Sequence, residues 1–402
     1  MDSPFDRNGL YSGLYGFFAE LTPDGFGWLA YLLAGAIIVF IVVNGVMLLT
    51  AFETYMERRV LGRFQTRLGP NRVGPFGLLQ PFADVLKLIM KEDLRPAMAD
   101  RLTFFLAPVI MVGAILLVAA VVPFGPNTFL ADLNIGVLFI VGIPTIATVA
   151  MFLGGWGSGN RFALLGAARA VAMLISYEVP MIVSLAGVLL LAGSMSLVDV
   201  VEAQRLPFIV LQPLGFFVFL VAASAEMNRS PFDLMEAESE LTAGFHTEFS
   251  GIRFGLLQLA EFGELVIISA VLAVIFVSGW QNPFVSPDYA QWLPGQVWFL
   301  LKLVFFLLLF TWIRATLPRM RVDQVMAFAW KALFPLAIIN TLVTAVLVVA
   351  WPEPEYGQLW LIAAINWAVA IACLVLFSRF LERHRERPTA SVQLVEIPAE
   401  AS

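Results

Sequence analysis

The apolar positions of this chain fall in long unbroken runs, neither alternating nor confined to one helical face. Runs of about 20 apolar residues, the length at which a helix crosses the hydrocarbon core of a bilayer, lie at roughly 28–52, 102–122, 135–155, 170–193, 207–227, 254–278, 296–317, 330–351 and 358–378. Continuous runs exclude a barrel, whose strands alternate lipid-facing and lumen-facing residues, and leave the helix as the way to satisfy backbone groups in lipid. The pattern predicts an all-α fold, a polytopic transmembrane helical bundle of about nine spans. Residues 28–378 are expected to form one bundle, between an N-terminal non-cytoplasmic segment, 1–27, and a cytoplasmic tail, 379–402. A shorter helix is predicted over Pro81 to Met90, where Phe82, Val85, Leu86, Leu88 and Ile89 alternate with Asp84 and Lys87. That amphipathic pattern belongs at a membrane interface.

Charge adds orientation. The chain is 60% hydrophobic and 13% charged, with 24 Lys and Arg in 402 residues. Nine of these fall in 57–101, two in 156–169, two in 228–253, four in 314–331 and four in 379–387, so 21 of the 24 sit in alternate connections. Basic connections face the cytoplasm, which places the N-terminus outside and the C-terminus inside; Arg7, Arg205 and Lys302 fall elsewhere. The connections on the other side are short, turn-rich and aromatic, as at Pro123 to Pro126. The segment Met1 to Phe26 lacks a basic leader pattern and is expected to remain in the mature protein.

The metal-ligating residues are too few for a redox centre. Cys373 is the single cysteine, and His246 and His384 are the two histidines. An iron–sulfur cluster wants about four thiolates and a buried haem wants axial ligands, so no metal, flavin or haem is expected on this chain, and nothing points to nucleic acid.

The first basic connection runs from Glu57-Arg-Arg59 through Gln65-Thr-Arg67, Gly69-Pro-Asn71 and Val73-Gly-Pro75 to Gly77-Leu-Leu-Gln-Pro81. Glycine and proline fix a turn here, and Pro81 is placed to open the next helix. By residue type alone, the segment could be an ordinary headgroup-binding surface. Its order of residues, however, resembles the signature of the H-subunit family of bacterial respiratory complex I, the counterpart of mitochondrial NADH dehydrogenase subunit 1. In that family this loop and helix line the entrance and roof of a quinone tunnel shared with two peripheral subunits. The resemblance implies that Glu57, Arg58, Arg67 and Asp84 lie along the tunnel.

The connection Ala225 to Phe249 departs from the basic pattern: Glu226, Asp233, Glu236, Glu238, Glu240 and Glu248 crowd there, with Glu261 following. Nearby opposing charge is limited to Arg229, Arg253 and a charged His246. A solvated acidic run is one reading. The other rests on the interleaved Pro231, Phe232, Leu241, Phe245 and Phe249, and on Glu261 and Glu264 inside a span, where a carboxylate is costly and a functional candidate. Crowded carboxylates raise one another's proton affinity. The order Ala225-Glu226, Arg229, Pro231-Phe-Asp-Leu234, Glu236, Glu238 and Glu240-Leu241 resembles the second signature of the same family. That likeness implies proton coupling through Glu226, Glu236, Glu238, Glu240 and Glu261, ion pairing by Arg229 and Asp233, and a place for Phe232 beside the quinone.

Two further blocks complete the likeness: Gly155 to Glu178, which adds Glu178 to the carboxylate chain, and Trp312 to Lys331. One departure concerns the third span, which reads Ile143-Pro-Thr-Ile-Ala-Thr-Val149 where some relatives carry a glutamate or tyrosine. A relay through that helix needs water or a neighbouring subunit.

The resemblance implies a membrane subunit of a proton-translocating NADH:quinone oxidoreductase in the bacterial inner membrane. Quinone would be its substrate. Its partners would be the peripheral subunits at the terminal iron–sulfur cluster and the small membrane subunits leading to the antiporter-like ones. A related subunit of an energy-converting hydrogenase or of a ferredoxin- or F420-linked dehydrogenase shares much of the motif content. A secondary transporter with a midplane carboxylate is the alternative from another class.

Overall fold

A computed structural model describes residues 9–22, 27–233, 243–282, 293–352 and 354–385. Among these there is no β-strand, and the expected all-α membrane bundle is what the chain forms. The helices are α1 (Gly9–Leu21), α2 (Gly27–Phe64), α3 (Gln80–Met90), α4 (Arg101–Ala119), α5 (Gly136–Gly157), α6 (Arg161–Ala192) and α7 (Leu197–Glu202). After them come α8 (Phe208–Leu211), α9 (Pro213–Glu226), α10 (Gly251–Phe276), α11 (Gly295–Thr316), α12 (Val322–Phe328), α13 (Phe334–Ala350) and α14 (Tyr356–Arg385). A π-helical turn, Ala329–Leu333, joins α12 to α13, so that Val322–Ala350 runs as one span.

Among the described residues, eight helices are long and apolar enough to cross a membrane. The expected ninth span, 207–227, is broken. Pro213 has no N–H and disfavours helical geometry at the residue before it, and Gln212 accordingly leaves the helix at φ −133° and ψ 66°. The 14 residues of α9 rise only about 21 Å, against a core of roughly 30 Å; α8 makes up most of the difference. The freed polar position is used: buried Gln212 donates to the carbonyl oxygen of Gly187 at 2.9 Å and to Thr344 Oγ1 at 3.1 Å. A second departure is α1, which packs on α2 through Tyr11, Ala34 and Ile38.

The bundle is built around α10, 72% of whose apolar window is buried, whereas α2 buries 17% and turns most of its surface outward. Trp28, Leu32, Phe40, Ile41 and Leu48 on α2 and Leu301, Phe305 and Trp312 on α11 are exposed, the lipid-facing apolar surface expected of a bundle in a bilayer.

Connections sort to two ends. At one end the Asp100 amide donates to the Gly157 carbonyl at 2.9 Å, Asn160 Nδ2 to Glu248 Oε1 at 2.7 Å, and the Met320 amide to the Pro231 carbonyl at 3.0 Å. These are the basic connections. At the other end the Gly9 amide donates to the Asn127 carbonyl at 3.1 Å and Ser196 Oγ to Asp132 Oδ1 at 2.7 Å. The glycine-proline turn after α2 folds tightly onto the basic end. Gly77, at φ +83°, lies so close to Pro70 that a Cβ would sit 2.4 Å from the Pro70 carbonyl oxygen, and one on Gly69 would sit 2.8 Å from Arg59 Cα.

Candidate functional site

On the basic end, α2 continues as helix beyond its apolar stretch and buries Thr50, Glu53 and Glu57. These positions recur at helical spacing and share one face. The face looks into the bundle: a Cβ on Gly263 of α10 would lie 3.7 Å from Thr50 Oγ1. Glu57 is held by two arginines, Arg229 in the turn after α9, whose Nη1 lies 2.5 Å from Oε2, and Arg314 on α11, which donates to Oε1. The Arg229 guanidinium also sits over the Phe262 ring at 4.6 Å. Burial opposes its charge, but Glu57, Glu261 and Glu53 together outweigh that and strengthen its hold on the proton.

Arg229 is the hub of the site. Glu53, Glu57 and Glu261 all act electrostatically on it, and it acts on Glu264. Glu264 in turn feels Glu226, at the C-terminus of α9, and Glu226 feels Glu178 of α6. A single field of interacting charge therefore runs from α2 through α10 and α9 to α6. Glu226 and Glu264 share a pocket lined otherwise by apolar residues that include Ile115, Pro144, Met181, Phe219 and Ile268. Among the described residues, Arg229 and Arg314 are the cations bound within this path of six carboxylates. Burial in an apolar interior makes each ionised carboxylate costly unless a cation or hydrogen bonds hold it.

The other expected residues are placed as follows. Glu57 and Arg58, neighbours in sequence, point apart: Arg58 is exposed and pairs with Asp84 at 2.7 Å. Partial burial opposes ionisation of Asp84, but bonds from Arg58, Gln80 and Lys87 prevail and hold it below the usual carboxylate range. Arg67 is exposed, donates from Nε to Gln65 Oε1 at 2.7 Å, and shares a small basic hollow with Arg59 and Arg63. Phe232 is buried, its ring 5.1 Å from that of Tyr177, whose hydroxyl donates to the Val325 carbonyl at 2.9 Å. Asp233 pairs with Arg319 at 3.4 Å. Glu236, Glu238 and Glu240 lie outside the described residues.

One expectation changes. His246 is buried among Phe245, Phe254 and α10, with Nε2 3.6 Å from Glu261 Oε1. Burial lowers its pKa to about 4, so at neutral pH it is not the third cation opposing the acids. The third span also touches the acid path, because the Thr145 hydroxyl donates to Glu178 Oε1. Glu53 was not among the expected residues, Arg314 was expected only as part of the Trp312 to Lys331 block, and Glu264 only as a costly carboxylate inside a span. Glu53 lies four residues before Glu57, one turn along the same helix, which is the signal that could have found it.

Geometry defines the class: a multi-pass helical membrane protein with a buried, arginine-centred path of carboxylates at its basic end. The sequence model of a family described as NADH dehydrogenase matches residues 36–345. Curated relatives agree. The H subunit of the NADH-quinone oxidoreductase of Dehalococcoides mccartyi (strain CBDB1) is 48% identical over 326 residues, 81% of this chain and 89% of the relative. The corresponding H subunits of Brevibacillus brevis and Geobacillus kaustophilus are each 47% identical, covering 80% and 83% of this chain and 94% and 98% of theirs. The chain belongs to the NADH dehydrogenase family of these H subunits.

Proposed function

We propose that this chain is the membrane subunit of a proton-translocating NADH:quinone oxidoreductase that forms a quinone chamber with its peripheral partners. In this reading it also turns quinone reduction into charge movement along its carboxylates. The observation that carries the reading is Arg229, the single buried arginine among the described residues, within electrostatic reach of acids on both α2 and α10. A quinone has an apolar tail and a polar headgroup, so its path needs apolar walls ending in a few polar groups. Glu57, Arg58, Arg67, Asp84 and Phe232 are assigned to that path. A change of charge near Glu57 would reset its hold on Arg229, and with it the proton affinity of Glu261 and Glu264. Glu226 and Glu178 carry the change onward, and Glu236, Glu238 and Glu240 are assigned to the same chain.

The basic end faces the cytoplasm, with the N-terminus outside and the C-terminus inside. Flavin and iron–sulfur clusters belong to the partner subunits. The relatives' names specify quinone as acceptor, which favours this reading over the ferredoxin-linked and hydrogenase alternatives.

The test is Arg229→Gln in the whole complex. Arg314 still neutralises Glu57, so the complex assembles, while quinone reductase turnover and coupled proton translocation fall on the order of 100-fold, the scale of a lost buried charge contact of about 3 kcal/mol. Wild-type coupled turnover in Arg229→Gln would defeat the proposal.

A further inference from the structure

Glu53 lies in the path but has no role in the function just proposed. It is fully buried, and neither carboxylate oxygen has a hydrogen-bond partner. It sits one turn from Glu57 on the same inward face of α2. Among the described residues, Glu57 and Arg229 are the charged groups that act on it directly, Arg314 closes the far side of Glu57, and Glu261 and Glu264 face Arg229 from α10. A buried carboxylate without partners is costly as an anion, and the nearest guanidinium is already committed to Glu57.

We propose that Glu53 is a proton-holding positioning residue of this site. It carries a proton while Arg229 is bound to Glu57, and gives that proton to Glu57 when Arg229 turns toward Glu53. The exchange balances: the O–H bond on Glu53 breaks as one forms on Glu57, and the guanidinium follows the negative charge. One proton and one cation are thus shared by two acids a helical turn apart, so α2 stores the state of the site in two positions. The inference rests on the carboxylate-path reading of the previous section.

The experiment uses the whole complex in proteoliposomes and compares Glu53→Gln, Glu53→Asp and Arg229→Gln. The amide reproduces the neutral acid but cannot release a proton. Glu53→Gln should therefore assemble normally and lose on the order of tenfold in coupled turnover, less than the roughly 100-fold of a proton-transfer group on the reacting atoms. It should also flatten the pH profile, and in infrared difference spectra on reduction it should remove a protonated-carboxyl band that the wild type shows. Glu53→Asp should restore much of the rate and the band.

Wild-type rate, pH profile and spectrum in Glu53→Gln would overturn the proposal. So would failure of Glu53→Gln to assemble, since a neutral side chain would then be intolerable where the proposal requires one. A silent Glu53→Gln beside a defective Arg229→Gln removes this inference alone, whereas a silent Arg229→Gln removes the reading beneath it.

Discussion

Among the described residues two Lys or Arg side chains, Arg229 and Lys302, are buried in this bundle, and their surroundings could hardly differ more. Arg229 is met by carboxylates and an aromatic ring. Lys302, on α11, is met by backbone: Nζ donates to the carbonyls of Val277 at 2.5 Å, Gly279 at 2.7 Å and Gln281 at 2.6 Å. An ammonium has three donors, and all three are spent on the chain leaving α10, whose final carbonyls have no helical partner of their own. Those acceptors do not titrate, so Lys302 has one arrangement. The partners of Arg229 are acids that can gain or lose protons, so its arrangement is negotiable. The contrast separates a charge with fixed partners from one with titratable partners, where burial alone would rank the two together.

The largest expected effect tests the structural side. Lys302→Met keeps the length and apolar stem of the side chain but orphans three carbonyls, at about 1–3 kcal/mol for each buried group left unsatisfied. Assembled complex should be nearly absent from the membrane, and whatever assembles should unfold at a lower temperature. Normal assembly with impaired proton translocation would place Lys302 among the switchable charges and break the comparison. Arg229→Gln is expected to show the reverse pattern, assembly without coupling.

A smaller effect probes how far the working region extends. Thr145→Val removes one hydroxyl from Glu178 at nearly constant volume, a bond to a carboxylate worth about 1.5 kcal/mol or more. Coupled translocation should fall roughly tenfold, the ratio that such an energy commands, with Thr145→Ser restoring it. If Thr145→Val is silent in proteoliposomes, the path bypasses α5 and the negotiable region ends at Glu226.

The spans were legible because continuous apolarity needs no partner to be read, and α2, α4, α5, α10 and α11 lie close to where it puts them. The break at Gln212 was not, although Pro213 was visible, since a proline inside a span can also be absorbed, as Pro108, Pro144 and Pro180 are. Its short length and its glycines at 9, 13 and 16 hid α1, which packs on α2. At the site, the acidic character of the loop after α9 could be read directly, but who holds whom could not. Arg229 and Glu57 are 172 residues apart in sequence, and Arg314 and Glu57 are 257. Arg58, adjacent to Glu57, serves a different ion pair on the surface. Glu53 was overlooked because a lone acid at the end of an apolar run looks like an interfacial residue until its burial is known.

The smallest expected effect concerns His246, the group that resembles a working residue by position and a structural one by state. It touches Glu261, an acid of the path, yet is held neutral by burial, with a pKa of about 4 against an ordinary value of 6.5. The sign follows from which state binds the proton. Between those values the unfolded chain takes up a proton that the folded chain refuses, so the contribution of His246 to stability is full above about pH 6.5 and is lost as pH falls through about 4. His246→Gln, neutral at every pH, should remove part of the acid-side decline in thermal stability and leave the translocation profile near pH 7 to 8 unchanged. Should the substitution instead shift that profile, His246 would be exchanging protons with Glu261 at working pH. It would then join Arg229 as a group whose partners titrate, and the boundary between the two kinds of buried charge would move outward to the loop before α10.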